Sequence, residues 1–187
     1  GNRNVAVGAG TLVTQNFTTA TSSYNTAVGY SAGNAVTTGT ENTLIGALAG
    51  DALTDVDYNT AIGKSALSTD TLGSKSTALG AYALQTQNFT TATDSHNTAI
   101  GNNAGGAVTT GTLNTLVGSL AGDALTVGGS NVSLGYFSLT ADTNGSKSVA
   151  VGTAALGDQN FTTATDTFNV AVGQEAGRSV TTGVQNT

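Results

Sequence analysis

The sequence contains no cysteine, proline, methionine or tryptophan. Because it has no cysteine, disulfide frameworks, thiolate zinc sites and reactive thiols are excluded. Charged residues make up only 9% of the chain, against about 25% in a typical globular protein. The 11 acidic and 5 basic residues leave a net charge of −6. That charge would repel a phosphate backbone, so no nucleic-acid partner is expected.

Long apolar runs are also missing. No stretch of about 18 apolar residues could span a bilayer, and no charged region followed by an apolar one marks a signal peptide. We therefore expect no membrane contact by this segment. A hydrophobic fraction of 38% with 5% aromatics is too little for a bulky globular interior. The many β-branched residues and a strict internal order nevertheless argue against disorder.

That order is a repeated five-residue phrase, Asn-x-Ala-aliphatic-Gly, which ends at ten glycines. These are Gly8, Gly29, Gly46, Gly63, Gly80, Gly101, Gly118, Gly135, Gly152 and Gly173. They are spaced by 17 or 21 residues and combine into a 72-residue superrepeat, so that QNFTTAT recurs at 15–21, 87–93 and 159–165. We predict a single repeat array over 1–187, with superrepeats 1–72, 73–144 and a partial 145–187. The missing methionine and the start in mid-pattern favour a piece of a longer fibre.

Each phrase alternates with period two, which is typical of a short strand with two different faces. Position two is Thr or Val, and position four is always a larger aliphatic residue. We expect position four to point inward as a structural ladder. The ladder consists of Val28, Ile45, Ile62, Leu79, Ile100, Val117, Leu134, Val151 and Val172. The opposite face carries mostly alanine, which would suit a close contact with another chain.

A strand this short cannot bury its own apolar face, so neighbouring repeats must stack. The sequence therefore predicts an all-β, parallel β-solenoid of about ten coils, in which equivalent side chains lie above one another. First-position asparagines would then form a corner whose amides bridge successive coils. The corner consists of Asn25, Asn42, Asn59, Asn97, Asn114, Asn131 and Asn169.

The longer coils carry four extra residues around QNFTTAT, which predict surface knobs because insertions map to loops. The candidate knob residues are Asn16, Phe17, Asn88, Phe89, Asn160 and Phe161. Their aromatic rings either pack down onto the coil or contact a receptor, a glycan or a neighbouring chain. The three asparagines also stand in Asn-x-Thr triplets, which are potential N-glycosylation sites.

Three other patterns contain residue types that are found in chemical sites. Asp94, Ser95 and His96 are the residue types of a hydrolase triad, but side chains of adjacent residues rarely converge on one reacting atom of a substrate. In the other superrepeats, Tyr24 and Phe168 stand in place of the histidine. Asp51, Asp55 and Asp57 could offer calcium ligands, yet only Asp51 recurs, as Asp123. The TTxT phrases at 18–21 and 37–40 suggest ice binding but are absent from several coils. We expect no enzyme activity, cofactor or metal.

The phrases NTAVGYSAG, NTAIGKSAL and NTLIGALAG resemble the head repeats of YadA-like trimeric autotransporter adhesins. The longer form, with an AG pair and TTG before the next asparagine, is similar to repeats of phage tail fibres and other surface fibres. The resemblance covers essentially the whole chain. It implies a left-handed parallel β-roll, a homotrimer and an extracellular location on a cell surface, a secreted filament or a virion fibre.

Taken together, the repeat and the resemblance predict a structural, non-enzymatic segment of a trimeric fibre that supplies rigid length and adhesion to a host receptor or glycan. The alternative is a binding module of the ice-binding or glycan-binding kind.

Overall fold

The computed structural model describes residues 1–187 and consists of β-strands and turns, with no helix. The strands are β1 (Val5–Val7), β2 (Thr26–Val28), β3 (Thr43–Ile45), β4 (Thr60–Ile62), β5 (Gly73–Ser74), β6 (Thr77–Leu79), β7 (Thr93–Asp94), β8 (Thr98–Ile100), β9 (Thr115–Val117), β10 (Val132–Leu134), β11 (Gly145–Ser146), β12 (Val149–Val151), β13 (Thr165–Asp166) and β14 (Val170–Val172). No helix is present that is long and apolar enough to cross a membrane.

The main sheet has ten strands in the order β1-β2-β3-β4-β6-β8-β9-β10-β12-β14. All neighbours run parallel, and each position lies opposite its counterpart, as Val28 lies opposite Ile45 and Ile45 opposite Ile62. Two small parallel sheets, β5 with β7 and β11 with β13, form beside it. The predicted all-β parallel solenoid is confirmed, with about ten turns. We call each turn a coil.

The core lies inside the coils and is lined by position three of the strand phrase. Ala27, Leu44 and Ala61 are fully buried there, as are their counterparts in the following coils up to Ala150. Position four points the other way: Leu79 is 41% exposed and Ile100 is 36% exposed. The expectation that position four points inward is therefore wrong, and so is the expectation that the alanine face is free to meet another chain.

The narrow interior of the coil explains this reversal. Six residues after position three the chain returns on the opposite wall, where Leu67 follows Ala61 and Leu84 follows Ala78, and all four are fully buried. Where position three is Leu44, the opposite residue is Gly50, and a Cβ there would lie 2.8 Å from Leu44 Cδ2. Of these two facing positions, at most one carries a large side chain in any coil, so position three stays small wherever leucine stands opposite. The next residue along the strand, the larger aliphatic residue at position four, points outward because successive side chains alternate between the two faces.

The glycine that closes each phrase has a backbone conformation that other residues avoid. Gly63 has φ of +137°, and an added Cβ would lie 2.5 Å from the carbonyl carbon and oxygen of Gly80 in the next coil. Glycine is required here for two independent reasons, because the positive φ disfavours a side chain and the adjacent backbone leaves no room for one.

Candidate functional site

The candidate functional site is the outer face of the ten-stranded sheet, which carries two parallel columns. The outer threonine column is position two: Val5, Thr26, Thr43, Thr60, Thr77, Thr98, Thr115, Val132, Val149 and Val170. The outer aliphatic column is Val7 followed by the nine predicted ladder residues, and its members pair in register from strand to strand. The predicted ladder is thus a surface stripe of half-buried or exposed side chains.

The asparagine corner lies at the start of the strands, where each amide joins three backbone segments. Asn42 Nδ2 donates to Val56 O at 2.7 Å, within its own coil. Its Oδ1 accepts the N–H of Asn59 at 2.9 Å, from the next coil. The same pattern recurs at the other corner asparagines, all of them buried. These side chains therefore supply the hydrogen-bond partners of backbone N–H and C=O groups at a corner that lies just before the strands of the main sheet.

Serine interrupts this corner at two places, and a buried polar network takes over there. Gln87 Nε2 donates to Asp70 Oδ2 at 2.6 Å and to Ser76 Oγ at 2.9 Å, while its Oε1 accepts Asn97 Nδ2 at 2.8 Å. Gln159 makes the same three contacts in the next superrepeat. Sequence reasoning missed these buried glutamines and aspartates, although the recurrence of QNF every 72 residues was the available clue.

Two of the three aromatic rings in the predicted knobs pack down onto the coil instead of projecting from the surface. Phe89 and Phe161 are buried, at 5% and 7% exposure, and the backbone N–H of each donates to a buried aspartate. The turns are therefore tied down onto the preceding coil, the packing alternative weighed for these rings. Phe17 is half-buried, Asn88 is half-buried, and Asn16 and Asn160 are exposed.

The residues of the triad pattern have separate partners. Asp94 forms a salt bridge with Lys75, and the buried Ser95 hydroxyl donates to Ser74 O at 3.1 Å. His96 is exposed and has a left-handed φ of 50°, as do its counterparts Tyr24 and Phe168, at 50° and 51°. This position forms the turn before the corner asparagine and directs a ring outward.

The aspartates weighed as calcium ligands also have separate partners. Asp55 Oδ1 accepts the Thr38 hydroxyl and Asp57 Oδ1 accepts that of Thr40. Asp51 Oδ1 is buried without a partner, and burial raises the pKa of this carboxyl. No group of three or more His, Asp or Glu side chains is placed to hold a metal ion.

The TTxT phrases do not form one continuous array. The hydroxyls of Thr38 and Thr40 donate to the aspartates just described, and Thr18 and Thr19 are exposed between β1 and β2. The regular threonine array of this protein is instead the outer threonine column.

Comparison of the chain with family models, with curated proteins and with solved structures finds no match.

Proposed function

We propose that this chain is a rod segment of an extracellular homotrimeric fibre, built from coils of 17 and 21 residues and wound as a left-handed β-roll. The observation that carries the proposal is the unbroken outer aliphatic column. Ten coils at about 4.8 Å make this stripe close to 50 Å long. Contiguous apolar surface of this length favours association with another chain, because monomeric proteins rarely expose large apolar patches.

Threefold association would place the same column of each chain around one axis, as closed symmetric assemblies require. The resemblance of the strand phrases to YadA-like heads favours three chains, and the even, in-register spacing of the column would let the chains pack along their length. Such a rod supplies rigid length through many equivalent coil contacts. Its role is structural and non-enzymatic, in an adhesin, a secreted filament or a virion fibre.

Replacing Ile62 by aspartate tests this interface. Ile62 is half-buried on the outer face, so the isolated chain should tolerate the change, whereas an interface would bury the new charge. We expect the parent to be a trimer by native mass spectrometry and light scattering. Ile62→Asp should be mainly monomeric at micromolar concentration, with its β-type circular dichroism spectrum retained.

Thr69→Asp is the matched control, because Thr69 is exposed and lies outside the main sheet. It adds the same charge and should remain trimeric. A parent protein that is monomeric at all concentrations, or an Ile62→Asp variant that stays trimeric, would contradict the proposed interface.

Ice binding is the second candidate, and the outer threonine column favours it. Six successive strands present Thr26, Thr43, Thr60, Thr77, Thr98 and Thr115 in register on one face, beside aliphatic side chains. Such a flat, regular array of hydroxyl and methyl groups can order water. It needs this face open to solvent, so it competes with the trimer interface.

Thermal hysteresis measures this alternative directly. If the face binds ice, the parent should depress the freezing point below the melting point, and Thr60→Tyr should abolish most of the gap because a bulky ring breaks the flat array. Thr69→Tyr, outside the main sheet, should leave it unchanged. A parent with no hysteresis eliminates the candidate.

A further inference from the structure

A cleft of about 250 Å³ opens on the surface beyond the carboxyl ends of β10 and β12. It exists because one coil has small residues where its neighbours have large ones. The coil of β12 contributes Ala154 and Gly157 to the cleft. The preceding coil contributes Phe137 and Thr140 at the matching positions, and the following coil contributes Arg178. The missing side chains leave a slot about two coil spacings wide, close to 9.6 Å between backbones.

One wall of the cleft is aromatic. The rings of Tyr136 and Phe137 pack edge to face, with centroids 4.3 Å apart and planes at 85°. Tyr136 is 52% exposed, so part of its ring remains available to a ligand. A packed aromatic pair is a rigid platform with an electron-rich face, to which the polarised C–H groups of a sugar ring are attracted.

The remaining lining is polar and provides hydrogen-bonding groups. The exposed Asp158 takes part in none of the salt bridges of the chain, and its backbone N–H donates to Arg178 O at 2.9 Å, which fixes its place on the coil. Arg178 Nη1 contacts Glu175 Oε1 at 2.9 Å, which leaves its other N–H groups free. A carboxylate and a guanidinium at one cleft can accept from and donate to vicinal hydroxyls.

The cleft is specific to this place in the array. Seventy-two residues earlier, its small residues Ala154 and Gly157 correspond to Tyr82 and Gln85, while Asp158 corresponds to Thr86. Tyr136 and Phe137 correspond there to Lys64 and Ser65, and Arg178 to Gly106. The earlier superrepeat folds into the same strands, yet it forms no such cleft. The site therefore arises from a local cluster of substitutions and is not a by-product of coil geometry.

We propose that this cleft binds one neutral hexopyranose unit of a glycan. The exposed ring of Tyr136, supported edge to face by Phe137, would stack on the apolar face of the sugar, while Asp158 and Arg178 hold its hydroxyls. Asp158 and Glu175 outweigh Arg178 by one negative charge, which disfavours sialic and uronic acids. The cleft is slightly smaller than the roughly 300–1,000 Å³ of drug-sized ligand sites, which suits a single ring. This inference does not depend on the trimer.

Saturation-transfer NMR on the whole chain tests the proposal, with the methyl glycosides of glucose, galactose and mannose as probes. We expect transfer to the ring protons of at least one of them, with a Kd of about 1 mM, typical of weak single-site binding. The double variant Ala154→Tyr/Gly157→Gln fills the cleft with residues that this chain carries at the equivalent positions. It should keep the parent's circular dichroism spectrum and weaken binding at least tenfold.

Asp158→Thr, also taken from the equivalent position, should weaken binding by a similar factor. Tyr30→Ala removes an exposed tyrosine elsewhere and should leave binding unchanged. Three outcomes would overturn the proposal: no transfer to any neutral hexoside, equal transfer in the filled variant, or binding of sialyllactose alone. The oligomeric state of each variant is measured separately, so failure here is distinguishable from failure of the rod.

Discussion

Gly80→Ala should be among the most destabilising single substitutions in this chain, with a loss of more than about 4 kcal/mol in the free energy of unfolding. Its φ is +140°, and an added Cβ would lie 2.3 Å from Gly101 O and 2.6 Å from Gly101 C in the next coil. Both atoms are backbone, so no side-chain movement relieves the clash. We expect a large fall in the denaturant midpoint, because the array is interrupted near its centre and each coil is held only by its neighbours.

Gly173→Ala is the matched control for this prediction. Gly173 has a similar φ of +128°, but an added Cβ would meet only Ala176 Cβ, at 3.8 Å. This variant should therefore show the cost of the backbone conformation alone, about 1–3 kcal/mol. If the two variants lost equal amounts of unfolding free energy, the clash with the backbone of the next coil would contribute nothing to the effect of Gly80→Ala.

Asn59→Ala should lower the free energy of unfolding by about 2–5 kcal/mol, because two buried hydrogen-bonding groups lose their partner. Asn59 Oδ1 accepts Ser76 N at 2.9 Å, and Nδ2 donates to Gly73 O at 2.9 Å. Alanine supplies neither contact, and the fully buried site leaves little access for water. The loss is measured by denaturant unfolding at one fixed protein concentration, since association would add to stability.

Asn102→Ala is the comparison, because Asn102 is exposed and its amide makes one long contact, to Ala81 O at 3.4 Å. This variant should stay within about 0.5 kcal/mol of the parent. If Asn59→Ala were equally mild, the corner amides would be exchanging with water and would not hold successive coils together.

Much of the fold was predictable because the repeat imposes it. The Asn-x-Ala-aliphatic-Gly phrase places every strand of the main sheet, and stacking follows from the need of such short strands for partners. The corner at Asn42 and Asn59 was also visible, because an amide repeated at each coil start has both a donor and an acceptor to offer to neighbouring backbone. The hydrogen bond between Asp70 and Gln87 was not predictable, because the two residues lie in turns of successive coils and these turns show no strand pattern.

The outer face and the cleft were likewise only partly predictable from the sequence. The columns through Ile45 and Ile62 could be read as ladders from alternation, but alternation alone does not say which face is inside. The cleft beside Tyr136 needs three coils to be superposed before the missing side chains at Ala154 and Gly157 become adjacent to one another. Its residues were therefore not singled out by their spacing in the sequence.

The sequence by itself determined that the chain is a parallel β-solenoid, because a five-residue phrase that recurs ten times leaves stacking as the way to bury its apolar side chains. Only the tertiary structure decided which side chains are inside. Ala61 and Leu67 face each other across the interior and are both fully buried, whereas Ile62, the next residue along the strand, points outward. The larger aliphatic residues are thereby left on the outer face, and the proposed association of chains depends on that placement.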